Sequence, residues 1–272
     1  MTKQLERLNS RSFREASFKC AIVPIGACES HGDHMPFGTD GMTAHMLGVR
    51  AAERLESTVV LPPLYYGMSD HYRHQPMCVS LSSDTNIRVI TDILESLRLA
   101  DIRRVLVLNG HDGNIPCAEI AARSFKVAHP EMTLALFDWW TIVAQLADEN
   151  LFEVWSGAGH AGEMETSIGL SLFPELMHPD RARGMVPKLD PHIKEIWLFS
   201  ELTRYGATGA PTKGTRAKGE VVVQIVTDYL VEYLRRFESE GIAHSPIDPD
   251  PSPVKAERHV DRPAVQEREG AV

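Results

Sequence analysis

Three short stretches of this chain concentrate residues able to do metal or acid–base chemistry. The first runs Glu29-Ser30-His31-Gly32-Asp33-His34 and continues through Met35-Pro36-Phe37-Gly38-Thr39 to Asp40. Glu29 and His31 stand two apart, so in extended backbone their side chains point the same way. Gly32, Pro36 and Gly38 let the chain fold back before Asp40 opens a helical pattern. The second stretch is Asn109-Gly110-His111-Asp112-Gly113-Asn114, and the third is Gly159-His160-Ala161-Gly162-Glu163-Met164-Glu165. Each has a plainer reading by itself. Asp40 can cap a helix, the Asn and Gly residues can serve a turn alone, and Glu165 can be a first-turn acid favoured by the helix dipole. Together they supply two His nitrogens and three carboxylates. That is a ligand set for two divalent ions. Two such ions a few Å apart polarise a carbonyl and lower the pKa of a water between them. Three carboxylates leave the centre one positive charge with which to hold hydroxide and stabilise an oxyanion.

The elements that must position these residues alternate between β-like and α-like. Cys20–Gly26 (CAIVPIG) reads as a buried strand, Val59–Pro62 as a weaker one, Arg104–Leu108 (RVLVL) as the clearest and Leu134–Phe137 as a fourth. Helical patterns lie between them. Thr39–Leu55 carries Met42, Met46 and Val49 at helical spacing. Ile87, Ile90, Leu94 and Leu97 form a stripe with Ser83, Asp84 and Thr85 as possible caps. Asn114–Ala128 and Glu220–Phe237 are two more, and a helical pattern with Ile168, Leu170 and Leu172 follows Glu165. The expected architecture is a single α/β domain over residues 1–244, with a mostly parallel sheet and helices on both faces. In such folds the site lies beyond the carboxyl ends of the strands, which puts the loops after Gly26 and Leu108 at one rim. Residues 245–272 hold five prolines, many charges and few large apolar side chains, and are expected to form an extended tail.

The 272 residues carry 28 Lys and Arg against 37 Asp and Glu, for a net charge of −9. A net negative surface disfavours nucleic acid and anionic lipid as partners. No apolar run reaches the length that spans a bilayer, and the first twenty residues have no apolar leader core. Four widely spaced cysteines form no CxxC pair, which suits a reducing cytoplasm.

The three stretches VPIGACESHGDHMPFGTD (23–40), LNGHDGN (108–114) and HAGEMETS (160–167), in that order and spacing, resemble the creatininase (creatinine amidohydrolase) family. The resemblance covers roughly residues 15–240. It implies an α/β fold, a hydrolytic centre of two zinc, manganese or iron ions, and a homohexamer. It implies that Glu29 and His31 each ligate one ion, that Asp40 bridges both, that His111 and Glu165 complete the set, and that His160 protonates the leaving nitrogen. Three departures stand out. Creatinine-cleaving members place a metal-binding Glu two residues after the His of the NGH turn, where this chain has Gly113. Their tryptophan before HAG falls near Ser156, with Trp155 one residue off. Their Pro-Gly-Thr turn reads Pro76-Met77-Cys78, although His71 is kept.

The expectation is therefore a metal-dependent hydrolase that cleaves a C–N bond of a small cyclic amide or formamide, with Glu165 and His160 catalytic. The polar cluster His71, Asp70 and Arg73, with Asp112, is the candidate substrate contact, unless it is only a solvated loop. The alternatives are the same centre opening a keto-cyclitol ring, creatininase itself, and a metal-binding subunit without catalysis.

Overall fold

The computed structural model of the chain describes residues 1–190 and 192–240; the tail expected at 245–272 lies outside them. Four strands, β1 (Cys20–Ile25), β2 (Thr58–Val60), β3 (Arg104–Asn109) and β4 (Thr133–Asp138), form one sheet in the order β2-β1-β3-β4. Every pairing is parallel, so the sheet is wholly rather than mostly parallel. Strand order reverses at β1/β3, the switch point at which open α/β sheets place their ligands. Ile25 is in register with Asn109, and Asn109 with Asp138. The carboxyl ends of three strands therefore align at one rim.

Alternation along each strand divides the core. Ile22, Leu106 and Leu108 face one side, where α2 (Thr39–Ala52), α5 (Trp139–Leu146), α6 (Glu163–Leu172) and α8 (Arg216–Glu240) pack. Val23, Ile25, Val105 and Val107 face the other, against α3 (Ser83–Leu99) and α4 (Ile115–Ala128). The N-terminal α1 (Ser10–Ala16) adds Phe13 to that second layer, and a single-turn α7 (Phe199–Leu202) lies near the rim.

Several local readings shift. Met42, Met46 and Val49 only flank the core; the buried face of α2 is Ala44, Leu47, Gly48 and Ala51. Small residues bring this helix close to the sheet, and a Cβ on Gly48 would meet Ile22 at 3.2 Å. The cap of α3 is Ser82, whose hydroxyl accepts from the Thr85 amide at 3.3 Å, one residue before the expected cluster. The α5 segment, WWTIVAQL, was hidden because it follows β4 with no turn residue between them.

Candidate metal centre

The rim loops are tied together before any functional group is placed. Asn109 closes β3: its amide nitrogen donates to the His111 carbonyl and to Asp138, both at 2.8 Å, and its oxygen accepts from the His111 amide. Asn114 spans loops, donating to the Gly26 carbonyl at 2.9 Å and accepting from the Met68 amide and from Asn86. Gly26 and Gly110 are glycine for steric reasons. A Cβ on Gly26 would lie 2.3 Å from the Gly41 amide, and one on Gly110 the same distance from the Asp40 carbonyl. The ends of β1 and β3 thus abut the first turn of α2, which delivers Asp40 between them.

At that point five residues spread over the sequence converge. Asp40 divides its carboxylate: Oδ1 faces His31 Nε2 at 2.9 Å and Oδ2 faces His111 Nδ1 at 3.3 Å. Glu29 Oε1 lies 3.2 Å from His111 Nδ1, and Glu165 Oε2 lies 3.8 Å from His31 Nε2. Three groups of side chains could each hold an ion, Glu29–Asp40–His111, His31–Asp40–Glu165 and Glu29–His31–His160, and Asp40 is shared by the first two. Glu29 and His31 are fully buried, Asp40 and His111 nearly so. Both Glu29 oxygens, His31 Nε2 and Asp40 Oδ2 lack hydrogen-bond partners among the described residues. Buried polar groups are almost always satisfied, so this cluster of orphans fits a pair of bound cations.

The histidines are oriented for the same purpose. His31 Nδ1 donates to the Glu29 carbonyl at 3.1 Å, and His111 Nε2 to the Met68 carbonyl at 3.0 Å. His160 Nε2 donates to the Ser30 carbonyl at 2.6 Å. A carbonyl can only accept, so each bond places a proton on the outer nitrogen and turns the other nitrogen inward. Backbone partners hold metal-ligating imidazoles in this way. His160 stands beside the ligands, its ring centroid 4.1 Å from that of His31 and its Nδ1 3.5 Å from Glu29. Tyr72 and Phe199 pack on it at 4.6 and 4.8 Å.

Without cations, protons balance the carboxylates. Burial opposes charge on His31, but Asp40, with Glu165 and Glu29 behind it, outweighs burial and raises the imidazole to about 9. The same contest carries His111 well up, with Glu29 the foremost carboxylate. Burial lifts Glu165 to about 7 against the pull of His31. Burial would also raise Asp40, yet the two imidazoles hold it below the usual carboxylate range. His160 goes the other way: burial and then repulsion from His31 push it well below its ordinary value.

A cavity of about 610 Å³ opens over Asp40, His111, His160 and Glu165. His71 and Asp112 line it, the His71 ring stacking on His111 at 6.1 Å. The structure places Asp70 and Arg73 elsewhere: both are exposed, they pair with each other at 2.9 Å, and neither lines the cavity. An i,i+3 pair in the Asp70–Tyr72 turn explains this, because each satisfies the other outside the rim. Gly113 admits no side chain, since a Cβ would lie 2.3 Å from the Met68 carbonyl and 2.4 Å from His111 Nε2. A Glu at that position is sterically closed, and Glu165 supplies the carboxylate of the second triplet.

Sequence reasoning assigned no role to five residues that build or brace the site. Tyr72 was hidden inside the polar 70–74 stretch. Trp197 and Phe199 come from a segment with no strand or helix period. His34 joins the first and third stretches, its Nε2 donating toward the Ala161 carbonyl and Thr166 Oγ1 at 3.2 and 3.0 Å. Glu163 is fully buried yet faces away from the ligands, accepting from the Glu153 and Val154 amides and pairing with Lys218 at 2.6 Å.

The family described as creatinine amidohydrolase matches residues 6–234. A creatinine amidohydrolase of Pseudomonas putida is 27% identical over 240 residues, covering 82% of this chain and 91% of its own. A mycofactocin precursor peptide peptidase of Mycobacterium ulcerans is 27% identical, covering 79% and 84%. A 3-dehydro-scyllo-inosose hydrolase of Thermotoga maritima is 25% identical, covering 85% and 82%. Among solved structures, a creatinine-amidohydrolase-type protein of Bacteroides fragilis superposes with a TM-score of 0.81 at 26% identity, covering 90% of this chain and all of its own. The manganese form of creatininase superposes at 0.75 and 24% identity, covering 88% and 100%. With the family matched across most of its length and the shared fold beneath it, this chain belongs to the creatininase family, a family of hydrolases.

Proposed function

We propose that the protein is a two-metal amidohydrolase that cleaves a C–N bond of a cyclic amide or formamide. The observation that carries this reading is the division of Asp40 between two complete ligand triplets, each with a backbone-oriented imidazole. Glu29, Asp40 and His111 would hold one divalent ion, and His31, Asp40 and Glu165 the other. The relatives' manganese and zinc forms support those metals, with iron the third candidate. Bound there, the pair would acidify a water and polarise the scissile carbonyl.

This chain's own groups handle the protons. His160 is neutral, its Nε2–H is held by the Ser30 carbonyl, and its bare Nδ1 faces Glu29 and the cavity. It accepts a proton at Nδ1 from the attacking water and passes it to the departing nitrogen. Tyr72 and Phe199 hold the ring in place and keep water from its face. Glu165 also accepts from the Ala161 amide, which fixes it within the ligand set. His71 and Asp112 are the polar substrate contacts on the cavity wall. A homohexamer in the cytoplasm belongs to the same reading.

Chelation should abolish turnover of an amide panel, and Zn²⁺ or Mn²⁺ should restore it. Turnover that persists in the His31→Ala/His111→Ala double variant contradicts the proposal. A second reading, opening of a keto-cyclitol ring by the same centre, is favoured by the Thermotoga relative. Product analysis by mass spectrometry on keto-inositols beside lactams and formamides separates the two.

A further inference from the structure

We propose that His34 is a positioning residue for one ion of the pair: it braces Glu165, and with it the His31–Asp40–Glu165 group, without itself being a ligand. The inference rests on the two-metal reading and gives a role to a buried imidazole that the reading leaves unused. Glu165 is the ligand that packing fixes least. Its side chain is 19% exposed, whereas those of Glu29, His31, Asp40 and His111 are 0–5% exposed. Among the described residues its carboxylate has one hydrogen bond, accepted at Oε2 from the Ala161 amide. No carboxylate at position 113 can stand in for it, because a Cβ there would lie 2.3 Å from the Met68 carbonyl. Whatever holds the Ala161 amide in place therefore holds this ion's own carboxylate.

Ala161 is left-handed, with φ +50°. That conformation is unfavourable for a residue with a Cβ and persists only where its surroundings enforce it. Both peptide groups flanking its Cα are tied. The amide on one side donates to Glu165, and the carbonyl on the other accepts from His34 Nε2 at 3.2 Å. Thr166 Oγ1 closes the arrangement, donating to the same carbonyl at 3.2 Å and accepting from His34 Nε2 at 3.0 Å. His34, Ala161 and Thr166 are all fully buried, so water cannot replace a lost bond there. His34 suits the role. A carbonyl only accepts, so the ring proton lies on Nε2. Burial pushes the imidazole down to about 4, which keeps the donor uncharged at neutral pH. The His34 carbonyl accepts from the His178 amide at 2.9 Å, anchoring the backbone behind the ring. His34 also lies three residues beyond His31. One loop thus sets two of this ion's three ligands, His31 directly and Glu165 through Ala161. His111, the imidazole of the other ion, is held instead by the Met68 carbonyl.

The test titrates metal-free full-length protein with zinc against a chelating dye. Anomalous scattering from crystals at the same buffered free zinc then shows which ion is bound. The parent should take up two ions per chain. His34→Leu, which fills the space but removes the donor, should weaken one ion about 10–100-fold, the usual effect of losing a partner behind a metal ligand. The peak against His31 and Glu165 should fade while the peak against Glu29 and His111 stays. His34→Gln, whose amide nitrogen reaches the place of Nε2, should keep both ions within about fivefold of the parent, the worth of one ordinary hydrogen bond. A role in folding alone would lower stability without this selectivity or this rescue. His34→Asn, too short to reach the Ala161 carbonyl, should repeat the loss and replaces His34→Leu where the apolar variant does not fold. Both ions retained at parental affinity in these variants, or both weakened alike, overturns the inference and leaves the two-metal reading standing. A parent that takes up fewer than two ions removes that reading, and the inference with it.

Discussion

At the scale of single residues, three imidazoles each commit one nitrogen to a backbone carbonyl and present the other to a shared centre. The partners lie on the loops themselves, so orientation is inherited from the fold and no additional carboxylate is needed. A pH dependence follows. His31 has a folded value of about 9 against an ordinary 6.5. Between those limits the metal-free folded protein binds more protons than the unfolded chain, so its stability falls as pH rises. The contribution is fully present below about 6.5 and lost on passing through 9. Glu165, lifted to about 7, acts in the same sense, and Asp40, depressed by the imidazoles, opposes it only at acid pH. The urea midpoint of metal-free protein should therefore drop from pH 6.5 to 9. Zinc-loaded protein should show the opposite trend, because the ligands must lose protons to bind. A flat or rising midpoint without metal would show that the carboxylates and imidazoles are not coupled in this way.

Two elements hold the centre in register. One is the contact between the β3 turn and the start of α2, where Gly110 lies against the Asp40 carbonyl. Gly110→Ala should displace Asp40, cost about 2–3 kcal/mol in chemical denaturation, and lose both metal ions together. Loss of stability with both ions retained would place Asp40 independently of that contact. The other is the segment ahead of α6. Buried Glu163 joins Lys218 on α8 to the Glu153 and Val154 amides, and Lys218 also bonds Glu153 at 3.1 Å. Glu163→Ala strands a cation and two amides, and should cost about 3 kcal/mol with the metal count unchanged. A variant as stable as the parent would mean the segment is held by its own turns. The strands β1 and β3 and both ligand-bearing turns were legible in the sequence because buried runs ended at Gly and were followed directly by His or Glu. The buried face of α2 was not, since Ala44, Gly48 and Ala51 give no amphipathic contrast, and α5 was not, since it is apolar on most sides.

Across the whole molecule, the switch point of a parallel sheet sets the location of the site, and four loops from distant positions supply its parts. That much of the site could be anticipated, because its groups are polar residues in places where a fold alone does not call for them. Of the aromatic cavity wall, Trp139 and Trp140 after β4 could be anticipated, and the rest could not. Phe199 and Tyr72 meet His160, and Trp197 meets Phe199, only through tertiary packing, and local sequence carries no sign of a contact between positions so far apart. The polar reading of the pocket divides for a related reason: Asp70 and Arg73 pair with each other at the surface, while His71 and Asp112 line the cavity beside four tryptophans. Among the described residues no helix is long and apolar enough to cross a membrane. The centre itself is most directly examined by soaking zinc into crystals of the full chain and recording anomalous scattering at the zinc edge. Two peaks are expected astride the Asp40 carboxylate, one against Glu29 and His111 and the other against His31 and Glu165. A single peak, or zinc bound away from Asp40, would contradict a shared two-ion centre.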